Sequence, residues 1–288
     1  MMRLFSLLML FTCTLFSFNV DISDSTISNG KTALFEFEKE KNIDYEKIVS
    51  ENKTYKIFKN PIDDKKYYAL LPISYYEKPS KKEVGIFYKE AATQKSKSFF
   101  VHVEDGKYEK ETLKVDGSKV TLNEKDKKRA SIEYEEAMKI YNMSTPKSYI
   151  TSSFIVPLKS KITSDFGKAR VYNGSLKGYH SGTDFRADIG TPLLACNDGK
   201  IVLAKDRFYS GGSVLIDHGH GVYSCYFHMS KFNVKNGSIV KKGEVIGLSG
   251  KSGRVTGPHL HFSFRVGGEQ VDPLQFIELM NKKLLKGI

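Results

Sequence analysis

The sequence predicts a mostly β protein in two parts, a small β-sandwich-like domain and a second antiparallel β-sheet domain, joined by a helix. Residues 22 to about 118 fall into short runs rich in Tyr, Phe, Ile and Val, separated by turn clusters. Residues 123–143 switch to a three- and four-residue apolar period. From Phe154 the chain is again β-patterned and is punctuated by glycine. The expected division is an apolar leader at 1–21, an N-terminal β domain at 22–118, a helical linker at 119–150 and the second β domain at 151–288.

In the first part the expected strands are Thr32–Glu38, Thr54–Lys59, Lys66–Tyr76, Val84–Glu90, Ser98–Glu104 and Lys110–Val115. Phe99, Val101 and Val103 alternate with Phe100 and His102, the period of a half-buried strand. Six short strands at this spacing fit a small sandwich. The part shows no site chemistry, and His102 reads as a polar surface residue. In the linker, Ala130, Tyr134, Ala137, Met138 and Tyr141 define an amphipathic helix. Asn123 is its N-cap, and Asp126 favours its first turn. In the last part Leu193–Cys196 and Lys200–Lys205 flank Asn197-Asp198-Gly199, a hairpin signal. Ser213–Asp217 and Val222–His228 flank His218-Gly219-His220-Gly221, a second one, and residues 273–285 look helical.

The chain has 288 residues and a formal net charge of +12. Residues 151–288 hold 19 Lys+Arg against 10 Asp+Glu, while residues 1–150 hold 26 against 23. A basic second half suits an anionic polymer: nucleic acid, anionic lipid or cell-wall peptides bearing carboxylates. The plainer reading is a Lys-rich surface serving solubility. Met1-Met2-Arg3 followed by the uncharged run Leu4–Phe18 describes a signal peptide, with a retained membrane anchor as the alternative. Export would leave Cys196 and Cys225 in an oxidising compartment; both sit in apolar runs and read as buried free thiols.

The chemistry concentrates in the second half. His180-Ser181-Gly182-Thr183-Asp184 sets a carboxylate four residues after a histidine, and the glycine permits the tight backbone this needs. Gly257-Pro258 leads into His259-Leu260-His261-Phe262, where period-two alternation puts both histidines on one polar face. Alone, that pair reads equally well as two surface residues. A His, an Asp and a second His, which His261 can supply, make a three-ligand metal site with an open fourth position. Such donors suit Zn²⁺ better than Ca²⁺ or Mg²⁺.

His180-x-Gly-x-Asp184, Tyr226-Phe227-His228 and Gly257-Pro258-His259-Leu260-His261-Phe262 resemble, in order and spacing, the LytM/lysostaphin-type zinc peptidases. Residues 162–167, Gly190-Thr191-Pro192, residues 216–219 and 242–247 add to the resemblance, which covers about residues 154 to 275. The preceding β domain and helix are similar to those of some Gram-negative members. The resemblance implies His180, Asp184 and His261 as zinc ligands, with His259 and His228 as unligated catalytic histidines. It gives His218 a structural role, and His220 sits with it in a turn. Thr183 and Arg186 stand where the family is usually apolar.

By the same resemblance the expected activity is a zinc D,D-endopeptidase cutting peptide cross-links of the cell wall in the periplasm, with D,D-carboxypeptidase trimming beside it. His259 would be the general base, and His228, helped by Tyr226, would stabilise the oxyanion. The expected partner is peptidoglycan peptide, with no nucleic acid and with membrane association only through the N-terminal apolar segment. The N-terminal domain is expected to fold separately and to gate the cleft. The alternative is a non-catalytic module of the same fold that activates an amidase; such modules have lost ligands, and here all five residues are present.

Overall fold

The structure, a computed structural model, describes residues 18–174 and 176–286. The expected leader lies outside the described residues as far as Ser17. Phe18 already packs in the N-terminal core, its ring centroid 4.7 Å from that of Tyr88. Val20–Ile22 pairs antiparallel with Thr32–Glu38, so the β domain begins before residue 22.

Two sheets make the sandwich. One runs in the order Val20–Ile22, Thr32–Glu38, Lys66–Pro72, Phe58–Lys59. The other runs Thr26–Ser28, Thr93–Glu104, Ser80–Glu90, Ile43–Ser50, Lys53–Lys56. Alternate side chains from both, among them Phe35, Phe37, Ile48, Leu71, Ile86 and Val101, fill the space between. Ile43–Ser50 carries Asp44, Glu46 and Lys47, which hid its strand pattern. The Ser80–Glu90 and Thr93–Glu104 strands meet at a two-residue turn, Ala91-Ala92, with φ of 47° and 68°.

Lys110–Leu113 leaves the sandwich, where the sequence placed it as a sixth strand. It pairs in parallel with Ala169–Tyr172 of the second domain, Glu111 opposite Arg170. Tyr108 leads it across: its hydroxyl donates to the Asn29 carbonyl at 2.6 Å. Its ring lies so close over Gly167 (φ 89°) that a Cβ there would come within 2.1 Å of it.

The main sheet of the second domain runs Ile162–Ser164, Thr183–Arg186, His259–Val266, Val222–Met229, Gly211–Gly219, Gly199–Arg207, Ile239–Val240. On one face Val214, Ile216, Tyr226, Phe262 and Phe264 are buried against Phe276 of the C-terminal helix. Each such apolar side chain contributes roughly 1.5–3 kcal/mol by its burial. That helix, Pro273–Leu279, starts at Asp272, whose carboxylate accepts from the Leu274 and Gln275 N–H groups. On the other face Leu203, Leu215, Tyr223 and Cys225 lie under Ala137 and Tyr141 of the linker helix, Glu124–Tyr141. Asn123 caps this helix through the Asp126 N–H. Its buried stripe is Glu133, Ala137 and Tyr141; the last two are as expected, but Glu133 replaces Tyr134, which is 62% exposed. Glu133 is pulled inward because its carboxylate accepts from Arg129 Nε (2.8 Å) and the Phe208 N–H (2.7 Å).

Gly211–Gly219 and Val222–Met229 form the expected hairpin. The Asn197-Asp198-Gly199 hairpin does not form. Pro192–Leu194 pairs instead with Val245–Leu248, and Asp198 is drawn to Lys241 Nζ and the Lys242 N–H, both at 2.8 Å. Cys196 and Cys225 are free and buried on opposite faces of the main sheet.

The two domains share a buried cluster. Leu34, Tyr68 and Leu70 of the sandwich belong to the same buried cluster as Phe154 and Phe264. Gln275 exchanges two hydrogen bonds with the Thr32 backbone. No helix among the described residues is long and apolar enough to cross a membrane.

Candidate metal centre and cleft

Thr183–Arg186 and His259–Val266 are adjacent antiparallel strands, and their register sets Asp184 directly opposite His261. His180 comes down from the preceding turn. Gly182 lets it do so: a Cβ there would stand 2.4 Å from the Phe262 carbonyl and 2.7 Å from His261 Nε2. The ligand atoms of His180, Asp184 and His261 all lie within 4.8 Å of one another, and all three residues are buried. Asp184 Oδ1 is 2.8 Å from His180 Nε2 and 2.9 Å from His261 Nδ1; the two nitrogens are 3.0 Å apart. A tetrahedral site with bonds of about 2.0–2.1 Å has edges of roughly 3.3 Å. The observed triangle is a few tenths of an ångström tighter and fits a metal with small adjustments.

The donors are oriented from behind. His180 Nδ1–H donates to the Asp165 carbonyl at 2.7 Å, which leaves Nε2 as the free lone pair. Phe227 stacks on the His261 ring, centroids 5.5 Å apart and planes at 11°. Burial acts to raise the Asp184 carboxyl, but the hydrogen bonds with His180 and His261 outweigh it and hold it well below the usual range. Its second oxygen, Oδ2, accepts from Arg170 Nη2 at 3.4 Å. Burial lowers His261 to about 4 despite the neighbouring carboxylate. Three neutral or anionic donors, closed behind and open in front, form a metal-binding group.

His259 and His228 stand beside it. His259 Nδ1–H donates to the Gly257 carbonyl at 2.8 Å, and Nε2 faces Asp184 Oδ1 at 3.6 Å. His228 Nδ1–H donates to the Ser252 carbonyl at 2.8 Å, and its ring centroid is 4.8 Å from that of His259. Burial, with His259 and His261 beside it, lowers His228 to about 3.

Period-two alternation fails at His228. Phe227 lies opposite His261 on the site face, and Tyr226 opposite Phe262 in the core. The Tyr226 hydroxyl accepts from the Cys196 N–H at 2.8 Å, so Tyr226 does not assist in the cleft. His228 returns to the site face because its φ is 65°, a left-handed residue at a bulge. His218 is fully buried, its ring nitrogens bonded to the Asp198 carbonyl and Ser224 Oγ; burial lowers it to about 4. His220 stacks on Phe58 and bonds the Tyr68 hydroxyl at 2.7 Å, across the domain junction. Neither joins the metal group.

The cleft over these residues has a volume of about 320 Å³. Its walls hold residues that the motifs did not reveal: Glu111, Arg170, Tyr172 and Arg254. Arg170 Nε donates to Glu111 at 2.5 Å and its Nη2 to Ser164 Oγ at 3.1 Å. No local pattern marks these residues, because distant strand pairing brings them together.

A buried His-Asp-His group at the centre of an antiparallel sheet, with two unligated histidines on the same cleft, is the arrangement of a metallopeptidase. Residues 178–273 match the family model of peptidase family M23. The chain is 41% identical over 121 residues to the peptidoglycan DD-endopeptidase ShyA of Vibrio cholerae, which is 42% of this chain and 28% of that protein. It is 43% identical over 95 residues to the DD-carboxypeptidase/endopeptidase Mpg of Neisseria meningitidis, 33% of this chain and 22% of that one. The chain thus matches about a quarter of the length of these relatives. A crystal structure from Pseudomonas aeruginosa, described as a candidate M23 peptidase, shares 27% identity with a TM-score of 0.67. It covers 87% of this chain and 94% of its own, so the likeness reaches well beyond the family match into the sandwich.

Proposed function

We propose that the protein is a zinc-dependent peptidoglycan D,D-endopeptidase of the periplasm, hydrolysing the D-Ala to diaminopimelate cross-link. The observation that carries this reading is the convergence of His180, Asp184, His261, His228 and His259 on one cleft. The names of the Vibrio cholerae and Neisseria meningitidis relatives support the substrate class, and the second supports terminal D-Ala trimming at the same site. An amidase-activating module would not need this convergence.

His180 Nε2, His261 Nδ1 and Asp184 Oδ1 would hold the metal. A bound zinc supplies Lewis acidity, acidifying water and polarising a carbonyl. The chain's own groups then move the protons. His259 presents an unprotonated Nε2 to the site, because its Nδ1–H is committed to Gly257. It takes the proton of the attacking water and returns it to the leaving amine. His228 has its Nδ1–H committed to Ser252 in the same way, so it donates to the developing oxyanion only as the imidazolium, a form that its burial disfavours.

The test is mass spectrometry of purified cross-linked wall fragments after digestion with the zinc-loaded chain. Dimers should become monomers, a chelator should stop the reaction and added zinc should restore it. Full activity in excess chelator with no metal present overturns the zinc assignment. Dimers left intact while glycine bridges are cut overturn the substrate.

A further inference from the structure

Two arginines line the cleft, and they are held very differently. Arg170 is committed, facing the Glu111 and Asp184 carboxylates. Arg254 has no ion pair among the described residues. Its guanidinium lies over two aromatic faces, 4.3 Å from the Tyr172 ring centroid and 4.6 Å from that of Tyr209. Its backbone N–H donates to the Tyr209 carbonyl at 2.8 Å, fixing the loop that carries it. Stacking on aromatic faces fixes the plane of a guanidinium without using its N–H donors, which stay free at the edge. An edge of that kind, in a cleft shared with the metal group, is shaped for a planar anion.

We infer that Arg254, clamped by Tyr172 and Tyr209, is the specificity residue that binds a substrate carboxylate on the leaving-group side of the scissile bond. This rests on the proposed peptidoglycan activity. In both proposed reactions the leaving amine sits on a carbon that also carries a free carboxylate. That holds for the diaminopimelate end of a cross-link and for a terminal D-Ala. An internal peptide bond, or a bond within a glycine bridge, has an amide there. Arg254 therefore distinguishes a carboxylate from an amide beside the cut, and serves endopeptidase and carboxypeptidase action alike. Arg170 cannot take this role while Glu111 and Asp184 occupy it.

The test compares two synthetic cross-linked peptides that differ only in that group, free carboxylate against primary amide. The zinc-loaded full chain is measured beside Arg254→Gln and Arg254→Lys. A charge-assisted pair of this type is worth roughly 10- to 100-fold in affinity. The wild type should lose about that factor in kcat/KM on amidation, chiefly through KM. Arg254→Gln should lose it on the carboxylate peptide and show no preference between the two. Arg254→Lys, with charge but no planar fork, should fall between, and metal content should be equal in all three. If Arg254→Gln keeps the wild-type preference, or slows both peptides equally, the inference is overturned. A wild type that cleaves neither peptide fails the proposed function instead. Calorimetric titration of the two peptides into wild type and Arg254→Gln then decides the carboxylate preference, and equal binding overturns it.

Discussion

His259 and His261 are two residues apart on one strand, and they stand differently toward the ligand triangle. His261 Nδ1 is 2.9 Å from the Asp184 oxygen inside the ligand triangle, and His259 Nε2 stands back at 3.6 Å. Removing His261 leaves two ligands, so His261→Ala should lose its zinc by elemental analysis. His259→Ala should keep about one zinc per chain and lose turnover by roughly 10²–10⁴-fold, the usual worth of a general base. Loss of zinc from both variants would show that the ligand assignment is wrong, and wild-type turnover in His259→Ala would show that the base is. These residues could be found in the sequence because each pair lies in one short stretch, where spacing fixes geometry. Tyr226, expected to help His228, lies in the core instead because alternation stops at His228, and nothing in Tyr226-Phe227-His228-Met229 announces a left-handed residue. Arg170, Arg254 and Glu111 were missed for another reason. Charged residues are common throughout this chain, and only the pairing of Lys110–Leu113 with Ala169–Tyr172, and the stacking of Arg254 on Tyr172, make them neighbours in the cleft.

At the level of elements, strands with clean alternation and the helix with a clear cap were readable, whereas those with mixed chemistry were not. Ile43–Ser50 was hidden by its charges. The linker helix buries Ala137 and Tyr141 as its period predicts, but a carboxylate, Glu133, takes the place in the stripe where the aromatic Tyr134 is expected. The hairpin joining Ser80–Glu90 to Thr93–Glu104 lacked a signal because its turn is Ala91-Ala92 rather than Asn-Gly. Both alanines adopt a left-handed backbone, φ 47° and 68°, which costs an L-residue with a Cβ roughly 1–2 kcal/mol. Replacing Ala91-Ala92 with Asn-Gly should therefore stabilise the chain by about 1–2 kcal/mol, read as a higher urea midpoint at unchanged m-value. An unchanged or lower midpoint would show that the turn is not strained.

Across the whole molecule, the segment between the domains does more than link them. Its strand Lys110–Leu113 lies along Ala169–Tyr172 at the cleft, and Glu111 holds Arg170, which in turn reaches Asp184. Separation of the two domains was expected from the change of period at the linker, but sequence patterns do not show which apolar faces meet. Leu34, Tyr68 and Leu70 join the core of the second domain, so simple truncation of the sandwich would expose that core. Gating by the N-terminal part is better tested by a point change at the cleft wall. Glu111→Ala removes the anion that draws the strand onto Arg170 and leaves the shared core and the ligands untouched. If the strand restricts entry, the substrate-competent state is a minor population, and relaxing the contact raises kcat/KM by the gain in that population. The expected rise is roughly fivefold or more on cross-linked wall peptides, with metal content unchanged. An unchanged kcat/KM would show that the strand does not gate the cleft. A fall would assign Glu111 the opposite role, holding Arg170 in place for Asp184.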